Sequence, residues 1–276
     1  MATQSEKADL FLKLHLDDEL LVLPNPWDVG SARIFEEAGF PALATTSAGV
    51  AATMGYPDNQ RVTKDEMLDA ISRIASGVQV PVTADIEGGY SATPEGTAAS
   101  VQEFMQTGIV GVNLEDRDAE NDGVLFEIPL QCDCIRAVRE MADGEAIHLV
   151  INARTDVFLE NIGDQETQFE RAIERAHAFM EAGADCIFIP GAFDAETVAA
   201  LVKETAAPIN ILIGPTALDL STLQDLGVAR VSSGSGPARA AMGFTRKLAE
   251  QMRNEKSYQL MVDEAIPYPE VNALFD

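Results

Sequence analysis

Basic residues are scarce in this chain: 19 Lys and Arg stand against 45 Asp and Glu, a formal net charge of −26 over 276 residues. A surface of that sign repels phosphate and argues against nucleic acid or an anionic membrane face as a partner. Long apolar runs are also missing. No stretch of about 18 apolar residues offers a membrane span. The N-terminal MATQSEKADLFLKLHLDDELLVL carries acids throughout rather than a basic start and an apolar block, so no export signal is expected and the cytoplasm is the expected location. Cysteine is rare. Cys132, Cys134 and Cys186 are an odd count at spacings that fit neither a disulfide framework nor a four-ligand zinc site, and are expected to be buried thiols. The first strand–helix turn, LPNPWDVGSA, lacks the G-x-G-x-x-G fingerprint of a dinucleotide-binding open sheet.

What the chain does have is rhythm. Short apolar, β-branched runs fall at 20–24, 41–46, 80–85, 110–116, 147–154, 185–190, 208–214 and 228–233. Stretches of helical spacing separate them, several closing on a glycine (Gly39, Gly108, Gly183, Gly227) as helix C-termini favour. Strands that are near-continuously apolar, each followed by a helix, must be parallel and covered by helices. Eight such units in about 250 residues predict a (β/α)8 TIM barrel. A single domain over 1–276 is expected, the barrel at about 20–250, preceded by an extra N-terminal helix and followed by a helical C-terminal tail at about 251–276.

In this architecture ligands sit at the C-terminal ends of the strands. Acids gather at the ends of the third and fourth, in TADIEGGY (83–90) and GVNLED (111–116). Residues i and i+2 of a strand share a face, so Asp85 and Glu87 can aim at one point, with Glu115 joining from the next strand. Three carboxylates that close either hold a hard cation or serve as helix caps and partners of Arg154 and Arg117. Arg154, leaving an apolar strand in INARTD, needs a partner, either Asp156 or Glu115 or an anionic substrate. TTSAGVA (45–51) has the small residues of an anion-binding loop, or of an ordinary tight one.

TTSAGVAATMGYPD after the second strand, ADIEGGY after the third, GVNLED after the fourth, NARTD after the fifth and the later LGVARVSSGSGPARAAM together resemble the isocitrate lyase and phosphoenolpyruvate mutase superfamily, over roughly residues 20–245. The resemblance implies a Mg²⁺ cofactor, with Mn²⁺ as alternative, bound by Asp85, with Glu87 and Glu115 holding metal waters. It also implies that Arg154 contacts substrate oxygens, that Asp58 approaches the closed site from its loop, and that Thr45, Thr46, Ser47, Ala48 and Gly49 hold the substrate carboxylate. Trp27 and Asn210, at other strand ends, complete the expected substrate-binding set; Arg154, Asp58 and Glu115 are the expected catalytic residues. The chemistry implied is making or breaking a bond beside a 2-oxo acid through a metal-stabilised pyruvate-like enolate.

The loop after the fourth strand, DRDAENDGVLFEIPLQCDC, departs from the pattern: it has neither the Lys nor the Cys-Gly-His of the isocitrate-type lyases, and Asn121 only approximates the Asn of the mutases. Cys132 and Cys134 follow EIPL, the start of the next helix, and are not expected to be catalytic. The expected activity is a lyase or decarboxylase acting on a small 2-oxo or 2-hydroxy dicarboxylic acid. The alternatives are a phosphonopyruvate mutase or hydrolase, and a binder of 2-oxoglutarate or oxaloacetate with little turnover. Tyr90 is read as a packing residue, with protonation of the enolate as its alternative. SSGSG (232–236) is read as a helix cap, and His15, His148 and His177 as structural or surface residues. The apolar stripe of the tail and the resemblance together imply a homodimer or homotetramer with exchanged C-terminal helices.

Overall fold

A computed structural model describes residues 2–119, 121, 124–192 and 194–276, leaving aside the side chains of Gln165 and Glu166. Eight strands, β1 (Leu21–Leu23), β2 (Leu43–Ala44), β3 (Val82–Asp85), β4 (Gly111–Glu115), β5 (Val150–Arg154), β6 (Cys186–Phe188), β7 (Ile209–Leu212) and β8 (Arg230–Ser232), pair in parallel in the order β1-β8-β7-β6-β5-β4-β3-β2. The Ala44 amide donates to the Pro24 carbonyl at 3.1 Å, which brings β2 back to the end of β1 and nearly closes the ring. The outer layer consists of α2 (Val29–Glu37), α4 (Lys64–Gly77), α5 (Pro94–Met105), α6 (Ile128–Gly144), α7 (Gln165–Glu181), α8 (Ala195–Thr205), α9 (Leu220–Asp225) and α10 (Gly236–Glu250). This is the expected (β/α)8 TIM barrel. Its core lies between strands and helices, where Ile71, Phe104, Val112, Ile135, Ile151, Phe179, Ile187 and Leu201 are fully or almost fully buried.

The expected extra helix is α1 (Gln4–Leu16), with a capping box at Thr3 and Glu6. It closes the barrel floor. Phe11 is fully buried and packs with Leu21, Leu23, Ala42, Ala44 and Val150. Gly111 makes room for it: a Cβ there would lie 2.8 Å from Thr83 Oγ1 and 2.9 Å from the Phe11 ring. At the other end of the chain the tail forms α11 (Gln259–Glu264) and α12 (Tyr268–Ala273).

One element departs from expectation. The segment after β2, read as a loop, is the helix α3 (Ser47–Met54), capped by Thr46, whose hydroxyl accepts from the Gly49 amide at 3.3 Å. Its residues are small and mostly apolar, so no polar face announces it. Cys132 and Cys134 lie in α6, and with Cys186 they are free and buried, as expected.

Candidate active site

At the C-terminal mouth of the barrel a cavity of about 200 Å³ is lined by Thr46, Ser47, Ala48, Asp58, Asp85, Asn113 and Arg154, with Asn25, Ser232, Gly234 and Ser235 on one side and Leu159, Phe188 and Leu212 on another. Asp85 ends β3 and is buried. Its Oδ2 accepts from the Ser47 amide at 2.9 Å and the Ser47 hydroxyl at 2.8 Å, and its own amide donates to Thr45 Oγ1 at 2.9 Å. Its Oδ1 is buried and has no protein partner. The N-terminus of α3 therefore fixes one oxygen of this carboxylate and leaves the other directed elsewhere. Ala48, whose amide in the first turn of α3 cannot be satisfied within the helix, lines the same cavity.

Arg154 closes β5 and is the register partner of Glu115 at the end of β4. Its Nη1 lies 3.0 Å from Glu115 Oε2, while Nε and Nη2 grip Asp156 at 2.6 and 2.8 Å. The guanidinium stands 5.7 Å from the centre of the Phe188 ring. Burial opposes the charge on Arg154, but Glu115 and Asp156 outweigh it and hold the guanidinium firmly protonated. Burial pushes the Glu115 carboxyl well above its ordinary range, and the attraction of Arg154 restrains the shift. Of the partners raised for Arg154, both Glu115 and Asp156 are engaged, and the residue also lines the cavity.

Glu87 needs a correction of reasoning. β3 stops at Asp85, and Glu87 adopts a left-handed backbone with φ of 52°, so the alternation of a strand does not extend to it. It is nevertheless buried, and burial followed by the fields of Asp85 and Asp58 raises its carboxyl to about 8. Asp58, on the exposed loop between α3 and α4, reaches the cavity, where desolvation raises its carboxyl as well. An apolar or neutral neighbourhood would leave such carboxyls protonated, whereas a cation would hold them ionised.

Among the described residues no three acids, histidines or cysteines stand together as a closed metal cage. The residues fit a hard ion bound more sparingly: Asp85 offers one buried, unpartnered oxygen and is held by Ser47 through the other, while Glu87 and Glu115 are buried within the field of Asp85 but do not line the cavity. Mg²⁺ takes few protein carboxylates directly and keeps several waters.

Of the other expected residues, Thr45 and Gly49 support α3 and Asp85 without lining the cavity. Trp27 lies behind α3 and lines a separate hollow with Met54 and Ile74. Asn210 is buried and donates to Ser232 Oγ at 3.1 Å. Tyr90 lines a different cavity and packs on Phe104 at 5.9 Å between ring centres, its hydroxyl buried without a partner. Asn121 is exposed and donates to Asp118 at 2.7 Å, away from the cavity; Glu120, Asp122 and Gly123 of the same loop lie outside the described residues. SSGSG is not a side-chain cap: Asn25 Oδ1 accepts from the amides of Ser233 and Gly234 at 2.7 and 2.9 Å and pins the loop. His15 is buried, His148 pairs with Asp185 at 2.7 Å, and His177 bonds the Glu204 carbonyl at 2.8 Å, so all three are structural.

Sequence reasoning missed Asn113, which accepts from the Asn152 side chain, and the apolar wall of Leu159, Phe188 and Leu212. Asn113 sits two residues before Glu115 on β4, and period two would have placed it on the same inner face.

Comparison with known proteins supplies the family. The family model described as phosphoenolpyruvate phosphomutase matches residues 11–253. An uncharacterized protein of Mycobacterium tuberculosis is 34% identical over 263 residues, 95% of each chain. A 2-methylisocitrate lyase of Halalkalibacterium halodurans is 30% identical over 213 residues, 75% of this chain and 67% of that one. The structure of an oxaloacetate acetylhydrolase in complex with its product oxalate superposes with a TM-score of 0.86 at 25% identity, covering 99% of this chain and 95% of that one.

Proposed function

The chain belongs to the phosphoenolpyruvate phosphomutase family, within the isocitrate lyase and phosphoenolpyruvate mutase superfamily, and from that premise we propose that it is a Mg²⁺-dependent lyase or decarboxylase of a small 2-oxo or 2-hydroxy dicarboxylic acid. One observation carries the reading: Asp85, held through Oδ2 by Ser47 and bare at Oδ1, lines the same cavity as Arg154. Relatives that act on 2-methylisocitrate or hold oxalate support the substrate class.

In this reading Asp85 would hold the metal, with Glu87 and Glu115 as the further acids that would help to keep it there. The bound ion supplies a Lewis acid beside a keto or alkoxide oxygen. The protein does the rest. Arg154, kept protonated and immobile by Glu115 and Asp156, stabilises charge that develops on substrate oxygens more strongly than in the ground state. The first turn of α3 at Ala48 receives a substrate carboxylate. Leu159, Phe188 and Leu212 pack the hydrocarbon part and exclude water. Asp58 approaches the acid from its loop. The exposed apolar residues of the tail, Tyr258, Met261, Val262, Ile266 and Phe275, support a homodimer or homotetramer with exchanged C-terminal helices.

Purified protein incubated with oxaloacetate, 2-methylisocitrate and alkylated malates, with Mg²⁺, Mn²⁺ or EDTA, tests the proposal by product analysis. Turnover of one of these acids that vanishes with EDTA and with Asp85→Ala is expected. Turnover indifferent to both would refute the role of Asp85, and tight binding without product would leave a binding protein.

A further inference from the structure

The barrel floor holds a cation that the site above does not use. Arg230 opens β8 and is fully buried, 0% exposed. Its Nη1 meets His15 Nε2 at 3.4 Å, and His15 Nδ1 lies 2.8 Å from the Phe11 carbonyl. A carbonyl only accepts, so Nδ1 carries the ring proton and Nε2 accepts from the arginine. His15 provides no counter-charge, since burial and then Arg230 itself hold its pKa down to about 3. Burial lowers the guanidinium to about 10, against the fields of Cys186 and Asp85, and it stays cationic at neutral pH. Among the described residues no carboxylate is bonded to it, and its Nε and Nη2 are buried with no protein partner.

Those two nitrogens form the side-on edge of the guanidinium, the edge whose parallel N–H groups grip an anion. A buried charge is costly unless something of opposite sign compensates it; water would satisfy the donors and leave the charge. Thr83 Oγ1, beside the Phe11 ring at Gly111, is a further buried hydroxyl without a partner in this floor. Phe11 and His15 of α1 are buried in the same floor and cover it from below, so a partner at that edge has to be compact rather than an extended acid. We propose that the Nε–Nη2 edge of Arg230 binds a monatomic halide, chloride in the cell, at the floor of the barrel. The site is independent of the activity proposed above.

Crystals of the wild-type protein soaked in bromide and measured at the bromine edge test this. A buried anomalous peak within hydrogen-bond distance of Arg230 Nε and Nη2 is expected, absent from Arg230→Met. Bromide peaks on the surface alone, or only water at the fork, would overturn it. In solution, thermal unfolding at fixed ionic strength should shift upward as chloride replaces gluconate, and Arg230→Met, if it folds, should lose that shift. A melting point that follows ionic strength without regard to the halide counts against the site, and the bromide soak decides even if the variant does not fold.

Discussion

Replacing His15 with Gln should change how stability responds to pH, by an amount the structure fixes. His15 is buried and its folded pKa is held near 3, against 6.5 for the free side chain. Between those values the unfolded chain binds a proton that the folded one refuses, so the folded state is fully favoured above pH 6.5 and loses stability as pH falls. At pH 5 the unfolded histidine is almost wholly protonated and the folded one is not, which costs about 2 kcal/mol relative to pH 8 at 1.36 kcal/mol per unit. Gln retains an acceptor for Arg230 and does not titrate. Urea unfolding of both proteins at pH 8, 6.5 and 5, in chloride-free buffer, isolates this group, because the other titrations cancel in the difference. The variant will be less stable at pH 8, having lost the edge contact of His15 with the Phe11 ring at 4.6 Å, but its deficit should shrink by about 2 kcal/mol at pH 5. A deficit independent of pH would refute the idea that His15 is kept neutral in the floor.

Gly111→Val should cost about 1–3 kcal/mol in urea or thermal unfolding, since its Cβ would press on Thr83, Phe11 and the Val150 carbonyl oxygen, 3.0 Å away; unchanged stability would show that α1 does not depend on that gap. Arg154→Lys keeps the charge and loses the fork, so kcat on the substrate found should fall about 100-fold, while Arg154→Met, which strands two buried carboxylates, should also lose about 3–5 kcal/mol of stability. Equal stability of the two variants would contradict the ion-pair account. Analytical ultracentrifugation should find a dimer or tetramer, and deletion of 251–276 a smaller species; a monomeric full-length chain would refute the exchange of the tail.

The alternation of apolar runs with helical stretches was legible because parallel strands covered on both faces have no polar side to interrupt them, and every run anticipated in the sequence contains a strand. The ends of those strands then pointed to Asp85, Glu115 and Arg154. Of the local inferences that failed, two did so for identifiable reasons. α3, built from SAGVAATM, has no polar stripe and looked like a loop, and the rule of alternate faces was extended to Glu87, beyond the point where the strand stops.

Composition and periodicity by themselves determined the layers, the number of strands and the rim on which acids collect, because burial on both faces imposes its pattern residue by residue along the chain. Register and depth were decided only by the tertiary structure. Glu115 meets Arg154 because β4 and β5 align them, the other oxygen of Asp85 stays bare because a helix end claims only one, and an arginine from the ordinary-looking run VARVSS comes to rest under the barrel facing α1. Such pairings join residues distant in sequence, and their energies depend on separation and on exclusion of water, which exist only once the barrel has closed.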